Sequence, residues 1–218
     1  MNSKDCIREV RNITGILIRE GLAESYNFPS IKTDKGVTNI EFEGSKDLSI
    51  ALRNVPYSDI HKELVGGKRY NYKFPDDAFI QMAYSFNDKD RLIKHRLCYF
   101  PSPTFEPYQD EPDIYELDEI FADIVFRNVL PVPIRFDFDP KNAKELDHPH
   151  SHLTFGQYKN CRVPVIAPVR PTHFIQFILT SFYKKKYDQM KSGLGHDFLK
   201  KMPSTASKKE KSVLHMAL

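Results

Sequence analysis

Two short segments with alternating polar and apolar residues, 134–139 and 148–156, constrain the fold more than any other part of this sequence. Successive side chains of an extended chain point to opposite faces. If the two segments pair as a hairpin, one face of that hairpin is apolar and the other is polar. The polar face would carry Arg135, Asp137, Asp139, His150, His152 and Thr154. The sequence thus predicts a hairpin whose apolar face joins the core and whose polar face is a candidate site.

The remaining pattern predicts an α+β protein with a mainly antiparallel sheet, and with an N-terminal helix and a C-terminal helix packed on one face. Residues 4–20 carry apolar side chains at helical spacing, with Ser3 as the candidate N-cap. Consecutive strands are predicted at 69–74, 78–86 and 92–100. Further predicted elements are two strands within 37–52, a turn at 66–68, a short helix over 115–126, a strand over 161–167 and a helix from 168 to 190.

The chain length of 218 residues suits one domain, which we predict over residues 1–190. A basic, flexible C-terminal tail is predicted over 191–218, with disorder at 203–211. Nine lysines and three acidic residues lie within 184–218. The tail is either a solvated, frayed terminus or a segment that contacts phosphate groups or an acidic partner.

Residues 104–123 have the opposite charge, with eight acidic side chains and no lysine or arginine. The segment is either a solvated helix face with a linker, or a surface that covers a basic partner or the protein's own basic tail. The second interpretation would make it a docking surface for a protein partner.

The cysteines and the hydropathy pattern indicate a cytoplasmic protein. Cys6, Cys98 and Cys161 lie far apart and form no CxxC pair, so neither a disulfide framework nor a cysteine zinc site is expected. No stretch approaches the roughly 20 apolar residues that span a bilayer, and the N-terminus lacks the apolar run of a signal peptide. We therefore expect no association with a membrane.

The polar face of the predicted hairpin has the chemistry of a metal site. Carboxylate and neutral imidazole are ligands for divalent cations such as Mn, Mg or Zn. Such a cation could activate water or neutralise phosphate charge, with His152 as a further ligand or a general base and Arg135 on the phosphate. The alternative is a network that only satisfies its own hydrogen bonds and fixes the strand register. The candidate ligands are Asp137, Asp139, His148, His150 and His152.

Basic residues elsewhere suggest contact with nucleic acid. The candidates are Lys94, Arg96, Lys184, Lys185 and Lys186. Tyr70, Tyr72 and Tyr99 interleave with basic residues, and rings beside positive charge are what single-stranded nucleic acid uses. On alternating strands, however, such rings can equally belong to the core.

These residues together resemble a family of bacterial proteins, domain of unknown function 2290. The resemblance rests on segments 134–139, 148–156, 161–165 and 174–183, and it extends over about residues 5–190. It implies no established reaction. Small bacterial families of this kind often occur in mobile defence or toxin loci, which by analogy suggests a nuclease-like effector.

Three functions are compatible with these observations. The first is a metal-dependent nuclease or related phosphodiester hydrolase in a bacterial defence or toxin system, with Asp137, Asp139, His152 and Arg135 as catalytic residues. The second is a non-catalytic interaction subunit that docks on a protein from the same locus through residues 104–123 and the basic tail. The third is a module that binds nucleic acid without cutting it.

Overall fold

An antiparallel sheet organises the protein in the computed structural model, which describes residues 1–42, 55–103, 132–158, 160–190 and 201–217. Nine strands lie within these ranges. They are β1 (Ser25–Tyr26), β2 (Ser30–Asp34), β3 (Val37–Glu41), β4 (Tyr72–Lys73), β5 (Phe79–Phe86), β6 (Leu92–Phe100), β7 (Ile134–Phe138), β8 (Ser151–Phe155) and β9 (Val163–Pro164). All the pairings between these strands are antiparallel.

Helices surround the sheet. They are α1 (Ser3–Arg19), α2 (Tyr57–Gly66), α3 (Pro171–Phe182), α4 (Lys184–Met190) and α5 (Lys208–Ser212). The part of the chain that the structure describes has no helix long and apolar enough to cross a membrane. The predicted α+β class, with an N-terminal helix and C-terminal helices beside a mainly antiparallel sheet, is confirmed.

The strand order is β1-β4-β5-β6-β7-β8-β9, and β3 pairs with the other end of β5 and with β2. The central strands β5 to β8 follow one another in space as they do in the sequence, as expected of a meander. The hairpin predicted from the alternating segments is therefore present as β7 and β8. Strand β6 extends it on the side away from β8.

One face of the sheet is apolar and is covered by α1 and α3. Phe136 of β7 makes ring contacts with Phe174 and Phe177 of α3, at centroid distances of 6.0 and 5.4 Å. Val10 and Leu17 of α1 belong to the same buried cluster. These contacts bury the apolar side of the alternating strands, which leaves the polar side chains of the same strands on the opposite face.

A buried charge network joins the two covering helices. Glu9 of α1 pairs with Arg170, the residue just before α3, and accepts a hydrogen bond of 2.8 Å from Thr172 Oγ1. Glu9 is 1% exposed. Because a charge this deeply buried needs a partner, the pair fixes how α1 meets the start of α3.

A second, smaller cluster lies on the other face of the sheet, under α2. Ile60 and Leu64 of α2 pack with Phe79, Cys98 and Phe100 of β5 and β6. The helix was not predicted from the sequence, because only a few apolar positions mark its buried side. It covers one end of the polar face, and the charged residues lie further along the same strands.

Several predicted boundaries differ in the structure. Ser3 is not the cap of α1, because Asn2 takes that position and its Oδ1 accepts from the Asp5 amide at 2.8 Å. Strand β2 is polar and was not predicted. The single helix predicted over 168–190 begins at Pro171 and is broken at Tyr183. The strand predicted at 161–167 is reduced to β9.

Residues 201–217 lie against the sheet rather than apart from it. Met216 exchanges backbone hydrogen bonds of 2.9 Å with Pro164 and Ile166, next to β9. Within 203–211, where we predicted disorder, Ser207 and Glu210 form a capping box at the start of α5. A short capped helix and backbone pairing at the edge of the sheet order this segment despite its polar composition. The predicted tail residues 191–200 are outside the described residues.

Three other predictions fall outside the described residues. They are the second strand within 37–52, the acidic segment 104–123 and the helix over 115–126.

Candidate functional site

Three neighbouring strands bring charged residues into one row on the polar face. Arg96 of β6 lies opposite Asp137 of β7, and Asp137 lies opposite His152 of β8. The next row holds Cys98, Arg135 and Thr154 in the same way. The alternation seen in the sequence therefore places Arg135, Asp137, His152 and Thr154 on a shared face, as predicted.

Asp137 lies between two arginines. Its Oδ1 accepts a hydrogen bond from Arg96 Nε at 3.3 Å, and its Oδ2 accepts one from Arg135 Nε at 2.5 Å. The side chain of Asp137 is 10% exposed. Burial opposes ionisation of this carboxyl, but the charges of Arg135 and Arg96 outweigh it and lower the pKa of Asp137 below its ordinary value.

Arg96 and Arg135 each use only one of their guanidinium nitrogens to pair with Asp137. Their side chains remain 35% exposed at Arg96 and 30% exposed at Arg135. Each reaches Asp137 through Nε, and the described residues supply no hydrogen-bond partner for the terminal nitrogens of either guanidinium. Burial works against the charge of Arg135, yet Asp137 raises its pKa overall. The arrangement therefore holds two permanently charged groups beside each other, with donors left for a ligand.

A second pairing lies further along the same strands. We call the side chains of Lys94, Arg96, Arg135, Asp137 and Asp139 together the charged row. Lys94 Nζ lies 3.2 Å from Asp139 Oδ2, and Asn142 Nδ2 donates to the same oxygen at 3.0 Å. Asp139 follows β7 directly, and its amide donates to the His150 carbonyl at 2.9 Å. Slight burial raises the pKa of Asp139, but the hydrogen bonds from Asn142 and Lys94 lower it more.

His152 is buried at the edge of this row. Its Nδ1 donates to the Pro149 carbonyl at 3.0 Å, and its Nε2 lies 3.7 Å from Asp137 Oδ2. Burial lowers the pKa of His152, although the Pro149 carbonyl and Asp137 oppose that shift. The imidazole is therefore neutral at physiological pH, with its hydrogen on Nδ1.

The other two histidines of the motif lie in the loop before β8. The His148 ring packs edge-on against the His152 ring, with centroids 4.7 Å apart. Two buried polar atoms near the row, His148 Nδ1 and Thr154 Oγ1, have no hydrogen-bond partner within the described ranges. His150 is half-buried and contributes its carbonyl to Asp139. The motif thus surrounds the row without all its side chains converging on it.

The predicted metal ligands are consequently spread over different pairings. Among the residues the structure describes, no group of three or more His, Cys, Asp or Glu side chains has the arrangement of a metal site. Both oxygens of Asp137 face guanidinium groups, and Asp139 faces Lys94. A divalent cation at the hairpin stays a prediction from the sequence.

The predicted nucleic-acid contacts divide between two sides of the protein. Lys94 and Arg96 belong to the charged row. Lys184–Lys186 begin α4, which packs against α3 on the apolar side of the sheet, and Lys184 pairs with Asp188 at 2.9 Å. Of the three interleaved tyrosines, all are buried in clusters of apolar side chains, so their rings belong to the core.

Arg162 is a charged neighbour that the sequence analysis did not single out. It lies two residues before Pro164, which is opposite His152, and its charge contributes to the lowered pKa of His152. Its Nη1 donates to the Asp147 carbonyl at 3.4 Å. Residues 162 and 164 have the spacing that places both side chains on the face of His152, which was the available signal. Strand β9 has only two residues, so no alternating pattern is visible in the sequence.

The fold and the charged row define an α+β protein with a basic, carboxylate-centred site on the polar face of an antiparallel sheet. Residues 22–218 match the family described as uncharacterized conserved protein (DUF2290), and the chain belongs to this family. The resemblance seen in the sequence is therefore confirmed. Neither the curated proteins nor the solved structures gave a significant match to the chain.

Proposed function

We propose that the polar face binds the phosphate groups of a nucleic acid, and that Asp137 positions Arg96 and Arg135 for this contact. The observation that carries the proposal is the pair of half-exposed guanidinium groups anchored through Nε to one buried carboxylate. Guanidinium groups recognise phosphate through their paired nitrogens, and an anchored guanidinium loses less freedom on binding.

The charge of the face supports an anionic ligand. Four cationic side chains on or next to the charged row accompany the two carboxylates of Asp137 and Asp139, a surplus of two positive charges over these six groups. The four are Lys94, Arg96, Arg135 and Arg162. Because Asp137 and Asp139 are already paired, the surplus is available to attract phosphate from solution.

Binding without cleavage is favoured over metal-dependent hydrolysis by the same contacts. A metal ion at Asp137 would have to displace guanidinium groups, and it would face the charges of Arg96 and Arg135 at short range. The nuclease predicted from the sequence, acting in a bacterial defence or toxin system, remains a proposal, and the cleavage assay described below tests it. A docking role for segment 104–123 remains a proposal as well.

Fluorescence anisotropy with labelled RNA and DNA oligonucleotides tests the proposal. We expect wild-type protein to bind with an affinity that falls as salt rises, and Arg135→Ala to weaken binding and reduce the salt slope by about 0.7 to 0.9 per lost phosphate contact. Arg8→Ala, an exposed arginine on α1, is the control and should leave binding unchanged. Equal affinity of Arg135→Ala and wild type would contradict the proposal.

The same oligonucleotides, incubated with Mn²⁺, Mg²⁺, Zn²⁺ or EDTA, test hydrolysis. Metal-dependent cutting that Asp139→Ala and His152→Ala abolish in folded protein would favour the nuclease. Binding without any cutting would favour a module that recognises nucleic acid only.

A further inference from the structure

An exposed aromatic ring lies at the end of the strand beside the arginines. Tyr158 is 70% exposed, in the turn that follows β8. The amide of Gly156 in this turn donates to the Pro133 carbonyl at 2.7 Å, and Pro133 precedes Arg135 by two residues. The turn is thus tied by the backbone to the start of the strand that carries Arg135.

The turn is also tied to the polar side of the sheet. Gln157 Nε2 donates to the Val55 carbonyl at 3.5 Å, and Val55 packs with the α2 cluster. That cluster includes Cys98, which lies in the same row as Arg135. Gly156 has φ +57°, a conformation that glycine adopts without strain, and the Tyr158 ring approaches to 3.5 Å of the position a Cβ would take there. These contacts hold the turn that carries Tyr158 next to the α2 cluster, on the polar side of the sheet.

The rings that the sequence suggested for base stacking are not accessible. Tyr70, Tyr72 and Tyr99 are at most 4% exposed. A base that stacks near the arginines would need a different ring, and Tyr158 has both the exposure and the position. Tyr158 follows Thr154, the strand partner of Arg135, by four residues, so the chain places it at most about 14 Å further on.

The position of the two arginines on the face of a sheet suits a single strand. Proteins read a duplex by inserting a helix or a two-stranded ribbon into a groove. Here Arg96 and Arg135 are held against Asp137 on the face of a sheet, where a flexible strand can lay its phosphates. Exposed rings next to a cationic surface then stack unpaired bases.

Building on the proposed phosphate site, we propose that its ligand is a single-stranded nucleic acid, with phosphates on Arg96 and Arg135 and a base stacked on Tyr158. Phosphate contact and base stacking are separate interactions, so they can be removed one at a time. Arg135 serves the first and Tyr158 the second.

The experiment compares three labelled probes of equal length by anisotropy: a single-stranded oligothymidine, the same backbone with abasic sites, and a duplex. Wild-type protein should bind the oligothymidine most tightly. Tyr158→Ala should weaken that binding at least about fivefold, as expected for loss of one stacked base, and should leave binding of the abasic strand unchanged. Tyr158→Phe should retain the wild-type affinity because it retains the ring.

Two controls separate this inference from the phosphate site itself. Phe28→Ala removes another exposed ring, 65% exposed and near β1 at the far side of the sheet from β8, and should have no effect. Arg135→Ala should weaken binding of the normal and the abasic strand alike.

Two results would overturn the single-strand inference while the phosphate site stands: a duplex bound as tightly as the single strand, or a Tyr158→Ala variant that binds oligothymidine like wild type while Arg135→Ala does not. If folded wild-type protein binds none of the three probes, the proposed function fails as well. Circular dichroism and thermal melts of each variant establish that the protein tested is folded.

Discussion

At the scale of single residues, Asp137 has the most consequential position in the described structure. It is the shared partner of Arg96, Arg135 and His152, and it is the most buried carboxylate of the charged row. Its negative charge could either weaken an anion site by neutralising it or strengthen the site by holding the guanidinium groups in place. These two roles predict opposite effects of the same substitution.

The substitution Asp137→Asn removes the charge and keeps the shape of the side chain. If Asp137 positions the arginines, we expect affinity for an oligonucleotide to fall, by roughly tenfold, even though the site becomes more positive. Anisotropy titrations at fixed salt measure the change. Tighter binding by the folded variant would mean that Asp137 acts only by neutralising charge.

The pH dependence of stability gives an independent test of the same pairing. The pKa of Asp137 is lowered in the folded protein, so its ion pairs stabilise the fold above the unfolded-state value of about 3.9. This contribution is lost as pH falls through the lower, folded-state pKa. We expect the difference in unfolding free energy between wild type and Asp137→Asn to be largest near neutral pH and to shrink below about pH 4.

Urea unfolding at several pH values measures that difference, and other carboxyl groups cancel because both proteins contain them. A difference that stays constant from neutral to acidic pH would show that the charge of Asp137 does not stabilise the fold.

At the scale of elements, the junction of α1 with the start of α3 depends on charges rather than on apolar contacts alone. Glu9 is paired with Arg170 and bonded by Thr172, and all three side chains are buried. A buried ion pair adds little net stability over an apolar replacement, but removal of one partner leaves an unpaired charge in the core.

We expect Glu9→Ala to lower the free energy of unfolding by about 3 to 5 kcal/mol, because Arg170 would remain buried without its partner. The double substitution Glu9→Met with Arg170→Met should cost much less. The exposed pair of Arg8 and Asp5 is the control, and Arg8→Ala should cost below about 1 kcal/mol. Denaturant titrations measure all three, and a cost for Glu9→Ala as small as that for Arg8→Ala would contradict the role of the network.

At the scale of the whole molecule, the sheet separates the chain into two chemically different sides. Helices α1 and α3 cover the apolar side, and the charged row occupies the other. The predicted nucleic-acid contacts are therefore divided, with Lys94 and Arg96 on one side of the sheet and helix α4, which carries the other three, on the opposite side. Lys94 lies on the face that carries Arg96 and Arg135.

Reversal of one charge on each side tests which side binds. Lys94→Glu should weaken binding of an oligonucleotide on the order of tenfold, the effect of losing about 1.4 kcal/mol. Lys184→Glu, on α4, should leave affinity close to that of wild type, since Lys184 is paired with Asp188 away from the charged row. A larger loss for Lys184→Glu would move the binding surface to the helical side.

Much of this organisation could be predicted from local patterns. The alternation at 134–139 and 150–155 identified β7, β8 and the face that Asp137 and His152 share. Strands β5 and β6 were predicted from strand-forming residues on either side of a polar turn, and the body of α1 from apolar side chains at helical spacing. Strand β2 was missed because its polar side chains show no alternation, although its partner β3 follows it directly. Helix α5 was missed because the segment before it is held by Ile166, which is distant in the sequence.

The sequence by itself determined the fold class, the core strands, the two faces of the hairpin and the family. The first three depend on side-chain alternation or helical spacing, and the family depends on short sequence motifs, all of which the chain carries locally. Only the tertiary structure decided what the polar residues do to one another, because Arg96 lies 41 residues before Asp137 and meets it through strand pairing. That pairing placed Asp137 between two arginines, whereas a list of nearby carboxylates and histidines had suggested a metal.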